Sequence, residues 1–573
     1  MAGEGGMVWI KRRDGLEKHV LVDTERGNTE FLSSDLDAAE FTDTIFPSFN
    51  SDGFTLASSG LINSTGDNYT SWTFRKAPRF FDVVTYTGNG VAGREIAHNL
   101  GVAPGMIIVK NLDQSDAWQV YHRGNTTNPE TDYLVLDYGQ DTVDNVNRWN
   151  DTAPTSSVFT LGNGAEVNTN TENYVAYLFA HDPVGANDDG MIACGSYTGN
   201  SSADGPEIDL GWEPQYIMTK AIDDPSHWNI IDVLRGISSS STQILTADIS
   251  NTESAHTPAQ VQVMPTGFKI INAGGAYNST FNFIYMAIRG PMMVEPESGT
   301  EVFAVAEQFD TATTTTGFPV DMFMNGLIAG NGRNFVVVDR LRGSNNSLET
   351  NNTSAESSSI VTATLDSNTS YKVGSFGANS SQLAFKRAKG FFDVVAWSGI
   401  TGESQISHSL GVVPELIFQK KLSVASYWAV LDFEVNKYLL LNTNSAEGSV
   451  SYTAATDTTF NNFLSTQSNI AYLFATLAGV SKVGNYTGNG SSQNIACGFS
   501  AGARFVLIKR TDSTGDWYFW DTLRGIVAGN DPHLSLNTTA AEVTTDDSID
   551  PQSAGFTVNQ VTATNINVTS ATY

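Results

Sequence analysis

The sequence has 573 residues, several times a typical domain, so several domains or a repeat array are expected. Its 31 Lys and Arg stand against 61 Asp and Glu, a net charge of -30 that opposes a phosphate backbone, so no nucleic-acid partner is expected. With 40% apolar and only 16% charged residues the chain buries cores, yet no window approaches about 18 uninterrupted apolar residues, which excludes a disordered polyelectrolyte and a hydrophobic membrane span.

The N-terminal MAGEGGMVWIKRRDG lacks the apolar core of a signal peptide, so export is not expected. It opens a series of repeats instead. An apolar run ending in Lys recurs as MVWIK to Lys11, MIIVK to Lys110, YIMTK to Lys220, LIFQK to Lys420 and FVLIK to Lys509, with a degenerate MFMNG ending at Gly326. The spacing of roughly 90–110 residues is one small domain. This gives repeat 1 at 1–79, repeat 2 at 80–182, repeat 3 at 191–290, repeat 4 (degenerate) at 301–389, repeat 5 at 391–476 and repeat 6 at 481–573.

Within a repeat the order is fixed. A strand leads to Tyr-Thr-Gly-Asn (residues 86–89, 197–200 and 486–489), and Leu-Gly-x-x-Pro introduces the lysine run at Leu100, Leu210 and Leu410. An aromatic-led strand follows and ends in Asp-x-x-Arg-Gly, then a Gly-Phe-Thr-Val type strand, then a closing strand such as YVAYLFA. Short β-branched and aromatic segments broken by Gly, Asn, Asp or Pro, with no sustained 3.6-residue period, predict an all-β chain. The expected fold is a tandem array of about six small antiparallel β-sandwich, jelly-roll-like repeats. FRKAPRFFDVV near Phe80 and FKRAKGFFDVV near Phe391 recur about 310 residues apart, as do Lys110 and Lys420, which makes the array a 3+3 duplication with a linker at 290–301. Repeat 1 lacks the opening strand and repeat 6 lacks the closing strand. The expectation is that the chain continues past Tyr573, or that a neighbouring chain supplies the missing strand.

Candidate chemistry is sparse. Asp23/Arg26, Asp232/Arg235, Asp339/Arg342 and Asp521/Arg524 have a spacing that suits a local ion pair at a strand end. Repeat 2 loses the pattern and repeat 5 has Asp432 with Val435, so the pairs read as structural, not catalytic. His98 and His408 occupy matching places before Leu-Gly and read as turn hydrogen bonders; no histidine spacing suits a metal. Asn187, Asp188 and Asp189 read as a solvated acidic turn, since no calcium-loop pattern surrounds them. The glycosylation-type Asn278 and Asn567 carry no weight without export. Cys194 and Cys497, far apart, read as small buried apolar residues. No catalytic residue, cofactor or metal is expected.

Taken together, FFDVVTYTGNGVAGREIAHNLGVAPGMIIVKN, then W-x-V-Y-H-R-G, then YVAYLFA resembles an uncharacterised repeat domain of bacteriophage virion proteins, known mainly from phages of marine bacteria and labelled tail or structural protein. The resemblance is weakest in repeat 4. It implies a non-enzymatic virion component, assembled in the host cytoplasm with other virion proteins. A tail-associated fibre, spike or adhesin-like role is expected, as a homo-oligomer with a trimer favoured. A head-decorating or head-fibre protein is the first alternative. A carbohydrate-binding array contacting host surface glycan is the second, with Trp149, Trp212 and Trp397 as candidate sugar-stacking aromatics.

Overall fold

A computed structural model describes residues 5–185, 189–237, 241–290, 293–308, 313–328, 334–343, 345–374, 379–397, 404–432, 436–464 and 467–573. The chain is all-β, built of small antiparallel sheets. It forms two compact units, one of Met1–Val233 with Ser241–Pro291, the other of Leu234–Ser240 with Met292–Tyr573. The break after Pro291 falls in the Pro- and Glu-containing stretch that separates repeat 3 from repeat 4.

The same strand order recurs from repeat to repeat. In repeat 2 the main sheet runs Phe81–Thr87 (opening), Asn173–Ala180 (closing), Pro104–Asn111 (lysine strand), Gln119–His122 (aromatic-led), Asp132–Val135 (third) and Val143–Asp144. Repeat 5 repeats it with Phe392–Trp397, Asn469–Phe474, Leu416–Lys421, Ala429–Asp432, Lys437–Leu440 and Gly448–Ser449. Lys110 faces Val175 and Lys420 faces Ile470, so the two lysines hold equivalent places in equivalent strands. The sheet of repeat 1 ends at its closing strand, Tyr69–Arg75, and that of repeat 6 at its lysine strand, Phe505–Ile508. Tyr573 stacks on Tyr486 at 4.8 Å, in the manner of Tyr174 on Tyr86 at 5.2 Å.

The period of two decides which core each residue enters. In Gly6–Arg12, Val8 and Ile10 pack on the small second layer of repeat 1, while Met7 and Trp9 turn the other way. That other face is shared. One cluster joins Trp9 of repeat 1, Trp118 of repeat 2 and Trp228 of repeat 3, and a second joins Phe335, Trp428 and Trp517 of repeats 4, 5 and 6. The lysine strands therefore read as near-continuous apolar runs because both faces are covered. The array of small sandwiches is thus joined through a second, shared core in each unit.

Six equivalent backbone hydrogen bonds show how the repeats join. Glu40 N–H donates to Leu112 O (2.9 Å), Thr142 to Ile222 (2.8 Å) and Glu253 to Arg13 (2.7 Å). In the second unit Glu356 donates to Leu422, Glu447 to Thr511 and Glu542 to Ile328, each at 2.9 Å. Every acceptor lies two residues past the lysine position. Repeat 1 thus joins 2, 2 joins 3, and 3 returns to 1; repeats 4, 5 and 6 close likewise. Each unit has the connectivity of a cyclic trimer made within one chain.

Local motifs serve the same frame. The Tyr-Thr-Gly-Asn turn is locked by a fully buried asparagine: the Asn89, Asn200 and Asn489 N–H groups donate to Oδ1 of Asn168, Asn278 and Asn567 at 2.8–2.9 Å. Burial of Asn278 and Asn567 removes both as modification sites. The glycine of the motif is needed for close approach, since a Cβ on Gly199 would stand 1.8 Å from the Ser279 carbonyl oxygen, and one on Gly88 1.9 Å from that of Thr169. Gly199→Ala is expected to lower the stability of the first unit by about 1–3 kcal/mol, read as an earlier thermal transition; an unchanged melt would refute the packing argument.

Candidate functional site

The Asp-x-x-Arg segments carry the repeated polar constellation, and the structure places them at the joints between repeats. At the end of strand Val20–Asp23, Asp23 Oδ1 accepts the Arg26 backbone N–H (3.0 Å) and Oδ2 accepts Arg26 Nε (2.6 Å). Arg26 also donates to Glu40 (2.6 Å) and to the Leu21 carbonyl (3.1 Å). From repeat 2, the Tyr177 hydroxyl donates to Asp23 Oδ2 at 2.8 Å. The second unit repeats this at Asp339 and Arg342, with Glu356, the Val337 carbonyl (2.8 Å) and Tyr472 of repeat 5, whose hydroxyl donates to Asp339 at 2.6 Å. Asp521 and Arg524 pair at 2.6 Å and reach Glu542 at 3.1 Å.

These pairs are dry. The Arg342 and Asp339 side chains are both 0% exposed. Burial works against the Arg342 charge, but Asp339, Tyr472 and Glu356 outweigh it and hold its pKa above the ordinary value. Burial raises the Tyr472 and Tyr177 hydroxyls well above 10, so both stay protonated donors. Both carboxylate oxygens of Asp23, Asp339 and Asp521 accept hydrogen bonds, and at Asp23 each oxygen accepts two, which makes the group a clamp.

The donor from the neighbouring repeat has a fixed address on the closing strand, opposite the residue two before the lysine. Tyr177 faces Ile108 and Tyr472 faces Phe418. In repeat 1 the place is Trp72, facing Trp9, and its indole N–H donates to Asp232 Oδ2 of repeat 3 at 3.0 Å. Asp232 and Arg235 are both buried. In repeat 3 the place is Met286, and repeat 2 carries His122 instead of an aspartate; His122 Nε2 meets the Tyr285 carbonyl at 3.1 Å. Asp232→Ala strands the Trp72 indole in a buried site and is expected to cost the first unit about 1–3 kcal/mol, seen as a lower urea midpoint. Wild-type stability in that variant would show that the bond holds nothing together.

A second device was not anticipated from the sequence. The aromatic that leads each second strand reaches the adjacent repeat: Trp118 Nε1 donates to the Ser33 carbonyl (3.1 Å), Trp228 to Val135 (2.7 Å), Trp428 to Glu349 (2.8 Å) and Trp517 to Leu440 (3.2 Å). Repeat 1 has His19 there, meeting the Thr246 carbonyl at 3.0 Å. Repeat 4 has Phe335, and the Thr350 hydroxyl donates to the Leu536 carbonyl in its stead. The signal was a column of aromatic residues, four of them indoles, immediately before the second strand, legible once the repeats are aligned.

The repeated lysines are buried too. Lys110 Nζ donates to the carbonyls of Asn111 (2.7 Å) and Gln114 (3.2 Å), and Lys11 and Lys220 cap their hairpins alike. Lys509 instead donates to Arg510 (2.7 Å) and to Asn444 of repeat 5 (3.4 Å), and Lys420 to Ser426 and to Thr353 of repeat 4 (3.2 Å). Burial lowers all five ammonium groups to about 8. Three residues on, Asp14, Asp113 and Asp223 accept the N–H of Asn68, Asn173 and Asn282 at the head of the closing strand, and Asp512 accepts that of Thr572.

Other expected residues lie apart from these clamps. His98 and His408 accept the Leu100 and Leu410 N–H groups at 3.3 and 3.2 Å, each within its own turn. Trp149, Trp212 and Trp397 are 2%, 4% and 5% exposed, and the indoles of Trp149 and Trp212 donate to the Asp132 and Pro183 carbonyls. Their rings offer no open face to a sugar, which corrects the sugar-stacking assignment. Asn187, Asp188 and Val435 lie outside the described residues. Cys194 is buried, whereas Cys497 is half-buried. Among the described residues no group of three His, Cys, Asp or Glu side chains is placed to hold a metal ion.

The family model for a domain of unknown function, DUF7483, matches residues 3–290 and 367–573. The intervening gap covers most of repeat 4, where Gly326 replaces the lysine and the Phe335 ring fills the space, 2.0 Å from where a Cβ would stand. No curated protein matches the chain. With most of both three-repeat units matched, the chain belongs to the DUF7483 family.

Proposed function

We propose that the chain is a non-enzymatic structural protein of a bacteriophage virion, associated with the tail as a fibre, spike or adhesin-like component. The observation that supports this most is the use made of the repeated polar residues. The Asp/Arg clamps and the indoles are engaged in holding repeats together, and the buried lysines in capping the strands that meet there, as a mechanical building block requires. The surplus of negative charge keeps such a block from adhering to packaged DNA. Immunogold labelling of purified phage particles with antibody to this chain tests the reading. Label on the tail is expected; label confined to the capsid would favour a head-decorating or head-fibre role instead, and unlabelled particles would refute both.

Assembly into a homo-oligomer, with a trimer favoured, belongs to the same proposal. It has to use surfaces other than the repeat joints, which are filled within each unit. Sedimentation equilibrium of the full chain reads this directly, and a species of 61.6 kDa at all concentrations would rule out self-assembly by the isolated protein.

A further inference from the structure

Three histidines of the first unit sit where repeats meet, and each uses Nδ1 as an acceptor. His19 takes the Trp9 indole N–H at 2.9 Å while its Nε2 faces the Thr246 carbonyl of repeat 3. His122 takes the Gly124 N–H at 3.1 Å while its Nε2 faces the Tyr285 carbonyl of repeat 3. His181, at the end of repeat 2, takes the Cys194 N–H of repeat 3 at 3.1 Å. For His19 and His122 the neutral Nε2–H tautomer satisfies both neighbours, and for all three a second proton on Nδ1 would set two donors against each other. We infer that these joints form an acid-operated latch: protonation of His19, His122 and His181 releases repeat 3 from repeats 1 and 2, while the second unit stays closed.

The surroundings support this sign. Around His19 stand Asp35, whose carboxylate accepts the His19 backbone N–H, and the buried ammonium of Lys11. Arg13 and Glu253 pair across the same joint at 2.9 Å. Arg123 opposes a charge on both His122 and His181, with Asp182 acting the other way on His181. Burial is the largest influence on all three and lowers them to about 4, 3 and 4. An opened joint, with histidines near their ordinary 6.5, takes up protons that the closed joint refuses. Stability is therefore present above about pH 6.5 and is lost as pH falls toward 4. Asp137, raised to about 6 by burial, and Glu40 of the 1–2 joint, also raised by burial, oppose the effect.

The second unit is built differently at the matching places. Its counterparts of His19 are Phe335, Trp428 and Trp517, which do not titrate in this range, and the 6-to-4 joint is closed by the Thr350 hydroxyl. His408 matches His98 and cancels in the comparison. His533 lies within repeat 6 beside Asp546, and Asp531, raised to about 7 by burial, gains stability as pH falls.

Hydroxyl-radical footprinting of the full chain between pH 7 and pH 4, read by mass spectrometry, tests the latch. Trp9, Trp72 and Tyr285 are expected to become labelled at a pH where Trp428, Trp517 and Phe519 remain protected. His19→Gln can accept from Trp9 and donate to Thr246 without titrating, so its 1–3 joint should open about one pH unit lower than wild type. His122→Gln should do the same for the 2–3 joint and serves if His19→Gln fails to fold. Simultaneous opening of both units, or folded glutamine variants that open at the wild-type pH, would overturn the inference.

Discussion

Asp339→Ala is expected to lower the unfolding free energy of the second unit by about 3–5 kcal/mol, because it takes the closer of two carboxylates from a buried, charged Arg342 guanidinium and leaves Glu356 alone to balance it. Both side chains of the pair are 0% exposed, so water cannot take over the lost contacts. The Arg342 backbone N–H (2.9 Å) and the Tyr472 hydroxyl (2.6 Å) lose their acceptor in the same step. Tyr472→Phe removes one of these bonds and should cost about 1 kcal/mol. Asp521→Ala should fall between the two, since its arginine is 2% exposed and the donor address on the closing strand of repeat 4 is Leu383, opposite Met324. Urea unfolding of the three variants gives the order. A loss below about 1 kcal/mol for Asp339→Ala would mean that the pair is solvated and is not a clamp.

Raising the pH from 8 toward 10 is expected to stabilise both units through the buried lysines. Their folded pKa of about 8 lies below the ordinary 10.5, so between those values the unfolded chain holds protons that the folded chain has released. Stability then climbs with pH, by up to about 3 kcal/mol for Lys110 over the full interval and by less for the lysines nearer solvent. Growing repulsion within a chain of net charge -30 opposes the climb. The comparison of wild type with Lys110→Met cancels that repulsion and isolates one lysine. The variant should gain less stability between pH 8 and pH 10 in guanidinium titrations; equal gains in both proteins would show that the Lys110 ammonium keeps its ordinary pKa when buried.

The sequence by itself determined the repeat and its strand class. Turn residues at fixed places, β-branched and aromatic segments of strand length, and the recurrence of Lys110 at Lys420 are local properties, so they survive without knowledge of the partner strands. The Asp/Arg pairs were legible for the same reason, because three residues and a glycine turn bring the two side chains together within one segment. What only the tertiary structure decided is which face of each strand meets which repeat. Trp9 and Val8 look alike as apolar neighbours, yet one enters a core shared by three repeats and the other a core private to repeat 1. The joint bonds, such as Glu40 to Leu112 and Glu253 to Arg13, link backbone groups that carry no side-chain signature. Trp149, Trp212 and Trp397 stand outside the repeated positions, so the sequence allows either burial or a sugar-stacking role for them, and loops folding over the rings decide for burial. Closure of three repeats into one unit is a long-range property: it arises because each sheet has a second apolar face, and covering that face takes two neighbours.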